Sequence, residues 1–227
     1  MRILIYVPVI HSQADMGSLG KELNRKCISR FGEDVWQKHI DTVNGYWDAI
    51  EYYFENIDIY IKGIKIYQDG MFVDGEMAMK IIEESIRAGS KNFEIVSKLI
   101  NRGAILIKTE DYKMVKDEYD GLQSIIRSKN NIEKFILLCK YKASKHKFLN
   151  RRDKFIAGRI AETLGTEETG ILFIGAYHNI TKRLPKDITI IELKEIKKIR
   201  EYQMGIQYPN KMKSQRFEQL NQYMIKR

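Results

Sequence analysis

The sequence predicts an α/β fold in which a mostly parallel central sheet is flanked by helices. Short β-branched runs alternate with longer segments of helical spacing, as expected for parallel strands joined by crossover helices. The 227 residues are 44% hydrophobic and 30% charged, which suits one globular domain with a sizeable core. No linker-like or repeated segment divides the chain. We therefore expect one α/β domain over residues 1–205 and a C-terminal helical extension over residues 206–227.

Five strands and seven helices are predicted in order along the chain. The strands are apolar runs at residues 3–9, 57–67, 104–108, 171–175 and 188–193. Helical spacing covers residues 15–31, 35–56, 75–87, 92–101, 112–128, 132–144 and 150–164. Capping residues support two helix starts, since Ser90 follows Gly89, and Thr109 or Asp111 can cap the helix that begins at Tyr112.

The chain is basic, with a formal net charge of +9 and a pI near 9.3. Such a balance can indicate a nucleic-acid or acidic-lipid partner. Solvated lysine-rich helix faces are the simpler interpretation, because acidic residues are interleaved and no nucleic-acid motif occurs. A nucleic-acid partner is therefore considered but not favoured.

Cysteine usage and hydropathy indicate a reducing compartment. Cys27 and Cys139 are far apart and form no CxxC pair, so neither a disulfide framework nor a thiolate zinc site is expected. The apolar start of the chain lacks a small-x-small cleavage pattern, and no stretch approaches the roughly 18 apolar residues of a membrane span. We expect a cytoplasmic protein without a membrane partner.

Polar side chains follow four of the predicted strands. His11 ends the first strand, Asp69 the second, Glu110 the third and His178 the fourth. Ligands of open α/β sheets bind beyond the carboxyl ends of the strands, so these side chains should meet at one edge. Imidazole and carboxylate together bind zinc, manganese, cobalt or iron, and the set therefore predicts a divalent metal site.

Each strand-terminal residue also has a simpler explanation. A single histidine at a strand end is commonly a hydrogen-bonded structural residue, and Asp-Gly after a strand commonly forms a turn. We place the other two histidines, His39 and His146, on helix surfaces because their neighbours are polar. No GxSxG, Walker loop, dinucleotide fingerprint or HExxH occurs, which excludes the usual signatures of serine hydrolases, nucleotide-binding proteins and zincins.

Residues 151–193 carry a family resemblance. An Arg152-Asp153 pair opens a helix that is followed by an apolar strand, then by "GAYH" at residues 175–178 and by a last strand. This arrangement resembles the closing part of the TraB/Tiki superfamily, which includes proteins of the erythromycin esterase and ChaN type. The first strand ends in His11, as in that group, although Pro8 stands where the group has glycine, and Arg151 replaces an acidic residue. The resemblance implies an EreA/ChaN-like fold and a metal-dependent hydrolase.

The metal would be held by His11 and His178, with Asp69 or Glu110 as a carboxylate ligand or as the base. A bound divalent metal lowers the pKa of its water to about 7 and so provides a nucleophile at neutral pH. The expected substrate is a small molecule or peptide whose peptide, ester or related bond is hydrolysed.

Four further residues are assigned to the same site. Arg152 would stabilise an oxyanion or bind a substrate carboxylate or phosphate, and Asp153 would orient Arg152 or a histidine. Gly175 and Ala176 would leave space for the substrate and allow a sharp turn before His178.

Two other functions remain open from the sequence. A non-catalytic protein could hold an anionic small molecule or nucleotide in the same pocket. A nucleic-acid-associated protein could use the lysine-rich helices, with an affinity that falls steeply with salt. The amphipathic stretch at residues 211–226, with Met212, Phe217, Leu220 and Met224 toward one face, could pack on its own domain or on a second subunit of a homo-oligomer.

Overall fold

The architecture is a five-stranded sheet covered by helices on both faces. A computed structural model describes residues 1–12, 15, 20–128 and 130–227. The strands in that part are β1 (Arg2–Val9), β2 (Lys65–Gln68), β3 (Ile105–Ile107), β4 (Thr169–Gly175) and β5 (Ile188–Glu192). The helices are α1 (Gly20–Phe31), α2 (Glu33–Asn56), α3 (Gly75–Arg87), α4 (Lys91–Asn101), α5 (Tyr112–Arg127), α6 (Asn131–Thr163), α7 (Ile196–Gln207) and α8 (Ser214–Ile225).

All strand pairs are parallel, and the order is β3-β2-β4-β1-β5. The α/β class with a parallel central sheet is thereby confirmed. The two central strands, β4 and β1, are nearly continuous apolar runs because helices cover both of their faces. Their register places Phe173 opposite Val7 on one side and opposite Gln68 of β2 on the other.

Different helices cover the two faces of the sheet. Phe54 of α2 packs against Phe173 of β4, with ring centroids 5.9 Å apart. Tyr67 of β2 hydrogen-bonds Thr163 near the end of α6 at 2.9 Å. The second half of α6 therefore lies on the opposite face from α2, and this half brings Arg152 and Asp153 to the sheet.

Several elements differ from their predicted extents. The second strand is shorter than predicted because Gly63, at φ 86°, forms a turn whose N–H donates to the Gly103 carbonyl at 2.8 Å. The two helices predicted at residues 132–144 and 150–164 are one helix, since no glycine or proline interrupts residues 145–149. Helix α7 was not predicted. Of the helix predicted at residues 15–31, residues 16–19 lie outside the described residues.

The C-terminal helix packs on its own chain. Leu220 and Met224 of α8 are buried, and Phe217 stacks on Tyr202 of α7 with ring centroids 5.5 Å apart. Helix α8 contacts α2 as well as α7. The division at residues 205/206 stays a prediction. No helix in the described part of the chain is both long and apolar enough to cross a bilayer.

The placement of His39 on a helix surface was wrong, whereas His146 is exposed as expected. His39 is half-buried between Trp36 and Tyr202, and its Nδ1 lies 2.7 Å from the Tyr202 hydroxyl. Burial lowers the pKa of His39 from its ordinary value to about 4. The histidine is therefore a neutral part of the packing between α2 and α7.

We predict that His39 makes the fold sensitive to acid. The pKa of His39 is lower in the folded chain than in the unfolded chain. Between about pH 6.5 and 4 the unfolded chain therefore binds more protons than the folded chain. The free energy of unfolding should therefore fall as pH drops through this window, by about 1.4 kcal/mol per pH unit at most. Urea titrations at several pH values should show a shallower pH dependence for His39→Gln, whereas His146→Gln should match wild type. Identical slopes for wild type and His39→Gln would contradict this assignment.

We predict a large difference in stability between equivalent truncations in the central and edge strands. Leu172→Ala removes a fully buried side chain from β4 and should lower the free energy of unfolding by about 2–5 kcal/mol. Ile191→Ala in β5 removes a side chain that is 45% exposed, and should cost less than about 1 kcal/mol. Urea denaturation measures both. Equal losses would be inconsistent with β4 at the centre of the sheet.

Candidate functional site

The strand order brings the predicted site residues to one edge of the sheet. Because β3, β2, β4 and β1 are successive neighbours, the residues that follow them line up in the order Glu110, Asp69, His178 and His11. Parallel strands place all of these carboxyl ends on the same side. The rule about strand ends therefore found residues that are far apart in sequence and close in the fold.

Arg152 of α6 bridges two of these carboxylates. Its Nη2 donates to Glu110 Oε1 at 2.6 Å and to Asp69 Oδ1 at 2.8 Å. Its Nε donates to Glu110 Oε2 at 3.0 Å, so the guanidinium contacts Glu110 in a bidentate manner. The arginine thus donates to two neighbouring carboxylates and weakens their mutual repulsion.

Asp153 orients His178. Its Oδ1 lies 2.6 Å from His178 Nδ1, and its Oδ2 accepts a hydrogen bond from the Asn179 N–H at 2.9 Å. Both side chains are buried. Burial by itself would lower the pKa of His178, but the hydrogen bond with Asp153 and the charge of Asp69 raise it above its ordinary value.

Asp69 lies on the other side of the imidazole. Its Oδ2 is 3.5 Å from His178 Nε2 and accepts a hydrogen bond from the Gly175 N–H at 3.1 Å. Burial alone would raise the pKa of Asp69, but the charges of His178, Arg152 and His11 together hold it below its ordinary value. Asp69 is therefore ionised, and its Oδ2 faces the imidazole.

Glu110 is the most deeply buried carboxylate of the site. Its side chain is fully shielded from solvent and accepts hydrogen bonds from Arg152 and, at 3.3 Å, from the Gly70 N–H. Burial raises the pKa of Glu110 even though Arg152 acts in the opposite direction. Both oxygens contact Arg152, so Glu110 holds the arginine in place.

The turn after β4 presents His178, and Gly175 sets the space beside it. A Cβ on Gly175 would lie 3.4 Å from Asp69 Oδ2 and 3.4 Å from His178 Cδ2, so glycine keeps the space between these side chains free. The His178 N–H closes the turn by donating to the Gly175 carbonyl at 3.0 Å. Ala176 is buried within this turn.

Arg200 of α7 fixes the same turn and was missed in the sequence. Its Nε donates to the Ala176 carbonyl at 2.5 Å and its Nη2 to the His178 carbonyl at 3.1 Å. Both contacts are to the backbone, so no motif in the turn itself reveals them. The signal that existed was the spacing of Ile196, Ile199 and Tyr202, which predicts a helix next to the turn.

The end of β1 is fixed by two aromatic residues of α2. The Tyr46 hydroxyl donates to the Pro8 carbonyl, and Trp47 Nε1 donates to the Ile10 carbonyl at 3.2 Å. His11 follows directly and is exposed at the same sheet edge. The structure therefore brings Glu110, Asp69 and Arg152 together through hydrogen bonds and joins them to the Asp153–His178 pair by the 3.5 Å contact of Asp69 with His178, and it leaves His11 at the border of this group.

The chain was compared with protein-family models, with curated proteins and with solved structures. None of them matches it. The resemblance to the TraB/Tiki superfamily therefore stays a prediction, and the chemistry must be argued from the site.

The donor set satisfies part of what a metal site needs. In the described part of the chain, no group of three or more His, Cys, Asp or Glu side chains is placed to hold an ion. Two donors are suitably placed, because ligands at about 2.1 Å from a tetrahedral ion lie about 3.4 Å apart, close to the 3.5 Å between His178 Nε2 and Asp69 Oδ2. Asp153 on the other imidazole nitrogen completes the carboxylate–histidine pair typical of metal ligands.

We predict that Asp153 controls the protonation of His178. Asp153→Asn keeps the side-chain shape but removes the charge, so burial should dominate and the pKa of His178 should fall below its wild-type value. Titration of the imidazole signals by NMR in the presence of a chelator measures this change. The signals of exposed His146 should be identical in both proteins. An unchanged titration of His178 in Asp153→Asn would contradict the assignment.

Proposed function

We propose that this chain is a metal-dependent hydrolase that acts on a peptide, ester or related bond at the carboxyl edge of the sheet. The observation that carries the proposal is the pair of donors, His178 Nε2 and Asp69 Oδ2, which face each other at 3.5 Å and form an ion pair when His178 is protonated. Asp153 behind His178 and Arg152 behind Asp69 fix both side chains from the opposite side. Residues that bind a metal directly are held in place by such hydrogen bonds from behind.

The charge balance of the buried group also favours a cation. Asp69, Glu110 and Asp153 are opposed by Arg152, which leaves a formal excess of two negative charges among these described side chains when all three carboxyls are ionised and His178 is neutral. Burial and contact with Asp69 raise the pKa of Glu110, and protonation of Glu110 would reduce this excess by one. Buried charges without compensation are costly. Protonation of His178 removes one of the two, consistent with its raised pKa, and a divalent cation would remove both.

In this proposal His178 and Asp69 hold the ion, whereas His11, at the border of the group, is not placed to form a three-residue ligand set with them in the described part of the chain. When bound, a divalent cation would supply Lewis-acid polarisation of the scissile bond and would lower the pKa of its water toward neutral. Arg152 and Glu110 act as positioning residues, since Glu110 fixes Arg152 and Arg152 fixes Asp69. Arg200 holds the turn of His178 through two backbone carbonyls, and Gly175 places no side chain between His178 and Asp69.

The alternative of an anion-binding protein has less support. It depends on Arg152 as the group that receives a carboxylate or phosphate. Arg152 already contacts Glu110 and Asp69, so an anion would have to compete with two buried carboxylates. The structure gives no specific observation in favour of a nucleic-acid partner.

We predict that the purified protein binds about one zinc, manganese, cobalt or iron ion per chain through the strand-end residues. His178→Ala should lower the metal affinity by about 10–100-fold or more, because changing a residue that only hydrogen-bonds to a metal ligand already has effects of that size. Elemental mass spectrometry and metal titration of the apoprotein measure this. Metal-dependent hydrolysis should then be sought with chromogenic ester and peptide substrates.

The control is His146→Ala, which removes an exposed histidine of α6 and should leave metal content and affinity unchanged. Asp69→Asn should weaken binding as His178→Ala does, while both variants keep the circular dichroism of wild type. Absence of bound metal after incubation with zinc, manganese, cobalt and iron would refute the proposal, as would equal affinities of His178→Ala and His146→Ala.

A further inference from the structure

The first half of α6 carries an apolar stripe that faces solvent. The stripe comprises Ile132, Phe135, Ile136, Cys139 and Ala143, all of them exposed. Ile132 is 72% exposed and Phe135 is 67% exposed. The spacing of 3, 4, 7 and 11 residues from Ile132 places all five within an arc of about 100° on the helix surface. We call this set the α6 stripe.

The α6 stripe is distinct from the face that packs on the protein. Leu137, Tyr141, Ser144 and Phe148 lie on another side of the helix and are half-buried. Helix α5, which contacts α6, contributes the buried side chain of Ile125. Helix α6 thus has one apolar face that packs and a second that is presented to solvent over about 16 Å of helix length.

Positive charge lies beside the α6 stripe. Residues 131–151 contain six Lys or Arg and a single acidic residue, Glu133. Lys140 and Lys147 are exposed and lie next to the stripe on one side of the helix, about 60–80° from Ile132. Exposed apolar side chains flanked by lysine are typical of helices that lie in the interface of a membrane.

We propose that the α6 stripe binds the surface of an anionic lipid bilayer. Ile132, Phe135 and Ile136 would enter the boundary between headgroups and acyl chains, while Lys140 and Lys147 contact the negative headgroups. The expectation of no membrane partner rested on the lack of a spanning segment. A helix that lies in the interface needs no such segment, and this inference does not depend on the proposed hydrolase activity.

Charge complementarity selects the lipid surface over a second copy of the chain. Pairing two α6 stripes would bring two lysine-rich helices together, and their like charges would repel. A single protruding apolar face of a helix would need a complementary groove on a protein partner, whereas a bilayer accepts it without one. Association with another copy is therefore an outcome that the experiment must be able to reveal.

The test is cosedimentation of the full chain with lipid vesicles. Wild type should bind vesicles of phosphatidylcholine with about 30% phosphatidylserine, and bind phosphatidylcholine alone much more weakly, with the difference lost at high salt. The double variant Ile132→Ser/Phe135→Ser should bind at least about tenfold more weakly, because it removes two apolar side chains from the interface. Lys140→Gln/Lys147→Gln should reduce binding to the anionic vesicles only.

Matched controls use surface residues outside α6. Tyr60→Ser/Met77→Ser removes two side chains that are 78% and 64% exposed, and Lys182→Gln/Lys186→Gln removes two exposed lysines. Both should bind vesicles as wild type does. The proposal is overturned if wild type does not bind anionic vesicles or if the α6 and control variants bind equally. Lipid-free sedimentation that shows a dimer lost in Ile132→Ser/Phe135→Ser, without vesicle binding, would instead identify an interface between copies.

Discussion

The contact of Arg152 with Asp69 and Glu110 is the interaction on which the rest of the site depends. Two carboxylates at neighbouring strand ends would repel each other in a buried environment and would favour protonation. The guanidinium donates to both carboxylates and holds Asp69 Oδ1, which leaves Oδ2 facing the imidazole of His178. Since Arg152 comes from α6, the long helix that covers the sheet also determines the geometry of its edge.

Most of the fold could be predicted because its signals are local. The apolar runs of β1, β3, β4 and β5 were predicted to within two residues of their bounds, since buried parallel strands differ in composition from everything around them. The errors have identifiable physical causes. Residues 57–61 are apolar enough to continue a strand, but a turn at Gly63 that bonds Gly103 ends the pairing, and that partner is not visible in the sequence.

The sequence predicted which strand-end residues form the candidate site, but not which other residues contact them. The rule that strand ends meet found His11, Asp69, Glu110 and His178, because it depends only on topology. The sequence alone could not reveal that Arg152 contacts two carboxylates, since an arginine at a strand edge is equally suited to bind substrate. Arg200 acts through backbone carbonyls, which leave no trace in side-chain composition.

A proton and a metal ion would compete for the same nitrogen, His178 Nε2. His178 has a raised pKa because Asp153 and Asp69 stabilise its charged form, and this same negative environment attracts a cation. Only neutral imidazole can donate its Nε2 lone pair to a metal. Metal binding to His178 and Asp69 would therefore release a proton and become tighter as pH rises through the pKa of His178. The buried negative charge thus explains both why the pKa of His178 is raised and why the group would bind a divalent ion.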